Sequence, residues 1–81
     1  MPRYFFNVSD STTRDSEGTE LESITEAKCE AVKMAGNIIC EAAIDFWDTQ
    51  EWSMTVSNSA GLVLFSLMFI GNEAPAGAKP I

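Results

Sequence analysis

The sequence predicts a small α+β domain, a compact antiparallel sheet in β-β-α-β-β order with one long helix packed across one face. Three observations predict it. Aromatic and β-branched residues alternate at period two near the start. Small and apolar residues recur at three- and four-residue spacing through the middle. Two further strand-like stretches flank a glycine-ended turn towards the end. A chain of 81 residues holds one core and has no room for a second. The expected division is a single domain over 1–70 followed by a flexible tail over 71–81, where "GNEAPAGAKP" is rich in small residues, Pro and Gly.

In "RYFFNVSD", Tyr4, Phe6 and Val8 alternate with Phe5, Asn7 and Ser9, the pattern of a half-buried strand. "DSTT" supplies turn chemistry, and a short second strand is expected near Thr12–Arg14. Ser23 then opens the helix. Ser23-Ile24-Thr25-Glu26 has the form of a capping box, in which the serine oxygen takes an orphan amide and Glu26 reaches back to the amide of Ser23. Ile24, Ala27, Ala31, Ala35, Ile38, Ala42 and Phe46 form its apolar stripe. The stripe implies one helix of roughly 23 residues, ~35 Å long. After the polar break at Asp48–Glu51, Trp52, Met54 and Val56 alternate with Ser53, Thr55 and Ser57 as a third strand. "NSAG" reads as a hairpin loop, and "LVLFSLMFI" as a fourth strand that is apolar on both faces.

"MPRYFF" at the start, "RDSEGTEL" leading into "TEAKCEA", and "GLVLFSLMF" near the end resemble a family of short bacterial proteins catalogued as a domain of unknown function. Its pattern of Pro-Arg-Tyr-Phe-Phe-His-Val, then Asp-x-x-Gly-x-Glu-Leu, an alanine-rich helix and a Gly-x-Val-Leu strand matches residues 1 to about 69. Asp15, Gly18, Glu20 and Leu21 carry the second motif. The chain departs from the pattern at Asn7, where the family's histidine is usual. The resemblance implies no activity, cofactor or catalytic residue. A fainter likeness in shape is to the antitoxin half of toxin–antitoxin pairs, which makes an antitoxin-like partner binder the alternative reading.

Charge and motifs narrow the chemistry. A formal net charge of -7, with only five Lys and Arg, disfavours nucleic acid, whose phosphates are bound largely through basic side chains. The opening residues lack the apolar core of a secretory signal, and the run around Leu62–Ile70 is about half the ~20 residues a spanning helix needs. A cytoplasmic protein with reduced cysteines and no membrane partner is therefore expected.

The acidic segment "RDSEGTELES" (14–23) invites comparison with a calcium loop. With Gly18 at the sixth place, the first, third, fifth and twelfth fall on Thr13, Asp15, Glu17 and Ile24. The closing glutamate is missing, so no metal is expected. The segment reads instead as a bend at Gly18 followed by a helix entry favoured by Glu20 and Glu22. Asp10 and Asp15 are expected to hydrogen-bond the turn rather than to act as an acid/base pair.

Cys29 and Cys40 are expected to point the same way from one helix but ~16 Å apart, beyond disulfide reach. With Gly36, Ala43 and Trp47 they form a second, smaller stripe interrupted by Lys33, expected to be a half-covered flank of the core, with a docking surface as the lesser alternative. Trp47 and Trp52 are expected to close the core at the helix exit. Without histidine, a Cys-x-x-Cys pair or an evident cleft, catalytic residues and cofactors are not expected, and a small enzyme is the least favoured reading.

One excess remains. If Phe6, Val8, Val63, Phe65, Leu67 and Phe69 serve the core, then Phe5, Leu64 and Met68 point away from it, on a face that one helix leaves to water. If the first and fourth strands pair, these three residues adjoin. They are the candidate interface of a module that self-associates or binds a protein partner.

Overall fold

The computed structural model describes residues 1–9 and 15–77. Four strands and two helices follow one another as β1 (Arg3–Val8), β2 (Thr19–Glu20), α1 (Ile24–Glu41), α2 (Ala43–Thr49), β3 (Glu51–Ser57) and β4 (Val63–Ile70). The expected α+β class and antiparallel sheet are present. The expected β-β-α-β-β order becomes β-β-α-α-β-β, because the helical region is two helices rather than one. The strand expected at Thr12–Arg14 lies outside the described residues. The strand that pairs with the far side of β1 is Thr19–Glu20, with Arg3 opposite Glu20 and Tyr4 opposite Thr19.

The sheet order is β2-β1-β3-β4. β3 is therefore central: Phe6 faces Val56 and Val8 faces Met54 on one side, while Met54 faces Leu67 and Trp52 faces Phe69 on the other. β1 and β4 do not pair. Placing β3 between them corrects the expectation that Phe5 could adjoin Leu64 and Met68.

The core is built from one face of this sheet and one stripe of α1. Tyr4, Phe6, Leu21, Trp52, Met54 and Val56 are buried beneath Ala27, Ala31 and Ala35. Alanines at successive i, i+4 positions let the helix backbone come close to the aromatic and branched residues below. The ends of the expected stripe are less buried. Ile24 is 41% exposed, while Ile38 and Phe46 pack against the core from its margin.

Ser23 caps α1 as expected: its Oγ accepts from the Glu26 amide at 3.2 Å. The reciprocal arm is displaced by one residue, with the Glu26 carboxylate accepting from the Glu22 amide at 3.2 Å instead of from Ser23. Ser23→Ala is expected to lower unfolding stability by about 1 kcal/mol, read from urea denaturation, the usual contribution of an N-cap.

The helix bends at Ala42, whose φ of -112° and ψ of 37° leave the helical region. Neither proline nor glycine stands there, so nothing local in the sequence announces the bend. Its consequence is in packing. α2 carries Phe46 and Trp47, which meet edge to face at 5.6 Å, onto buried Gly71 at the end of β4. A Cβ at Gly71 would lie 2.8 Å from the Trp47 ring. Trp52 is buried as expected, but Trp47 remains 46% exposed, so only one of the two tryptophans closes the core. Cys29 and Cys40 are both free and exposed, as are Gly36 and Ala43. The expected half-covered flank is instead a solvent-facing side of the helices, because the alanine stripe alone seats α1.

Candidate interaction surface

The two edges of the sheet differ in chemistry. At the β1 edge, residues 15–21 fold back over the strand. Asp15 Oδ2 accepts from the Phe6 amide at 3.1 Å and its Oδ1 accepts from the Gly18 amide at 3.0 Å, while the Asp15 amide donates to Asn7 Oδ1 at 2.8 Å. Leu21 donates to the Pro2 carbonyl at 3.1 Å and buries its side chain in the core. Gly18 adopts a φ of +71°, and a Cβ there would approach Arg3 Cγ at 2.8 Å and the Phe5 ring at 2.9 Å. Arg3 pairs with Glu20 at 2.8 Å, an exposed contact worth little by itself. The expected bend at Gly18 is thus present, while the turn at 10–13 that Asp15 was expected to bond lies outside the described residues. The acidic segment closes this edge, and both oxygens of Asp15 are committed to backbone amides. Asp10 lies outside the described residues.

At the β4 edge no element covers the strand among the described residues. The Gly71 amide donates to the Gln50 carbonyl at 3.0 Å. Antiparallel alternation then turns the backbone groups of Phe69, Leu67 and Phe65 towards β3, and those of Ile70, Met68 and Ser66 outwards. Side chains on the helix-free face are exposed along this strand: Leu64 by 37%, Met68 by 59% and Ile70 by 62%. On the opposite face Phe65, Leu67 and Phe69 pack against the core but remain partly open.

Val63 was expected in the core and is 64% exposed. The cause is an irregularity in the register: Val56 faces Phe65 while Ser57 already faces Val63, so Leu64 is an extra residue. This follows the Asn58–Leu62 turn, which Asn58 Oδ1 holds by accepting from the Ala60 and Leu62 amides, with Gly61 at a φ of +82°.

Of the three residues expected at an interface, Leu64 and Met68 share the β4 edge. Phe5 is separated from them by Ser57 and its neighbours on β3, and its ring lies over Gly18. Val63 and Ile70, which sequence reasoning missed, join the surface instead. One signal pointed to them: residues 52–72 contain no charged side chain.

Three concavities stand out among the described residues. One of about 130 Å³ lies between α2 and Trp52, beside Asp45. A second, of about 330 Å³, is an open depression that includes Phe5, Asn7, Asp15 and Ser57, and a third, of about 500 Å³, follows the bend between α1 and α2 along Cys40–Asp45. No helix among the described residues is long and apolar enough to cross a membrane.

A two-layer α+β domain with one sealed edge and one open apolar edge is the class that fold and surface define. The chain belongs to the family described as a domain of unknown function, DUF6894, whose model matches residues 3–70. No curated protein and no solved structure matches the chain.

Proposed function

We propose that this chain is a non-enzymatic interaction module that works in a self-associated form, joined through β4. The observation that carries this reading is the coincidence on one strand of exposed Leu64, Met68 and Ile70 with outward-facing backbone groups. An exposed hydrophobic edge strand is a liability that proteins ordinarily blunt with charge, proline or a covering segment. Among the described residues the blunting is applied to the β1 edge and withheld from β4.

Light scattering over a concentration series tests it. The wild-type chain is expected to run above monomer mass at high micromolar concentration. Met68→Lys and Leu64→Glu are each expected to return it to monomer with unchanged circular dichroism. A folded wild type that stays monomeric at high micromolar concentration overturns the proposal.

A further inference from the structure

We infer that two copies pair antiparallel along β4, in a register centred on Leu67, to make one continuous eight-stranded sheet. This rests on the self-association just proposed and specifies its geometry. The outward N–H and C=O groups of Ser66, Met68 and Ile70 call for a strand, since alternate residues on an antiparallel edge offer both groups together. A second copy meets that demand because the strand is nearly self-complementary. "FSLMF" (65–69) reads Phe-x-Leu-x-Phe in either direction.

About a two-fold axis at Leu67, Phe65 stands opposite the partner's Phe69, and Leu67 opposite the partner's Leu67. On the other face Leu64 stands opposite the partner's Ile70, and Ser66 opposite the partner's Met68. Every residue from 64 to 70 is then matched, and the half-open Phe65, Leu67 and Phe69 gain a second side. Cross-strand aromatic and aliphatic pairs of this kind are what stabilise antiparallel neighbours.

Charge and exposure agree. Each copy carries a net charge of -7, yet none of it falls within residues 52–72, so the acidic groups lie off the seam. Leu64, Met68 and Ile70 are 37%, 59% and 62% exposed, so the strand brings mainly apolar side chains to the seam, whose removal from water favours association. The sealed β1 edge decides between a closed pair and a filament. Head-to-tail addition would require β4 of one copy to meet β2 of the next, which offers only Thr19 and Glu20, or β1 beyond it, where β2 and Asp15 already occupy the hydrogen-bonding groups of Tyr4 and Phe6. Only the isologous contact, which closes on itself, remains.

The test separates this geometry from self-association in general. Ser66→Pro removes an N–H that faces the open edge and gives no bond to β3, a position where an edge strand tolerates proline. By light scattering the wild type is expected to be a dimer, and Ser66→Pro a folded chain of half that mass. By NMR, the wild-type amides of Ser66, Met68 and Ile70 are expected to exchange slowly at high concentration and to lose that protection on dilution.

A folded Ser66→Pro that remains dimeric, or a wild-type dimer whose Ser66 and Met68 amides exchange freely, overturns edge pairing and leaves self-association standing. Assemblies larger than a dimer overturn the closed geometry. A monomeric wild type overturns both readings. If Ser66→Pro does not fold, the amide exchange of the wild type decides alone.

Discussion

Asp15→Ala is expected to lower the free energy of unfolding by about 2–3 kcal/mol, because an amide deprived of its partner in a part-buried setting costs ~1 kcal/mol or more and two amides lose theirs. Asp15 Oδ2 takes the Phe6 amide and Oδ1 the Gly18 amide. The Phe6 amide points to the side of β1 turned away from β3, beyond the reach of the two-residue β2, so the carboxylate stands in for a strand. Gly18 must hold its positive φ for the chain to double back over Arg3 and Phe5, and the Asp15 bond fixes that turn. Asp15→Asn keeps one carbonyl oxygen in place of two acceptors and is expected to lose roughly half as much. Urea denaturation of both variants measures the order. Equal stability of wild type and Asp15→Ala would mean that residues 15–18 fold without reference to β1.

That role also shows where sequence reading succeeds. Gly18, Ser23 and Gly61 announced themselves because each answers a local demand, a positive φ or an orphan amide, that few residue types meet. Alternation in Tyr4-Phe6-Val8 and Trp52-Met54-Val56 gave both strands and their buried faces, since period two admits one assignment.

The failures are of a different kind. Whether β3 or β4 lies beside β1 is a question of tertiary pairing, and either order would keep Phe65, Leu67 and Phe69 on the helix side. The bend at Ala42 lacks a proline or glycine, and its reason lies in where Phe46 and Trp47 come to rest against Gly71. Cys29 and Cys40 do share a side of the helices, as their spacing required, but spacing could not say that the alanine stripe would leave that side in water. For the candidate surface, Leu64 and Met68 were legible as an excess of apolar residues. Val63 was not, because one extra residue in the register reverses the face on which it falls.

Met54→Ala is the substitution expected to weaken the fold most, by about 3 kcal/mol, within the range found when a buried methionine is truncated. Met54 is fully buried on the central strand, between Val8 and Leu67 and within the core that Ala27, Ala31 and Ala35 cover. Alanines have no reach with which to fill the hole, and the strands on either side are fixed by their ladders, so the site can collapse very little. For a domain of this size the loss is a large fraction of the ~5–10 kcal/mol that separates folded from unfolded chains.

The same measurement bears on assembly. Binding that requires the folded state raises apparent stability with concentration, so the urea midpoint of the wild type is expected to rise between low and high micromolar protein. Met54→Ala should shift to lower urea while keeping that concentration dependence, because its side chain faces the core and not the β4 edge. Ser66→Pro should do the reverse, with a midpoint that no longer depends on concentration. A Met54→Ala protein that unfolds with the wild type would mean that α1 does not seat on β3.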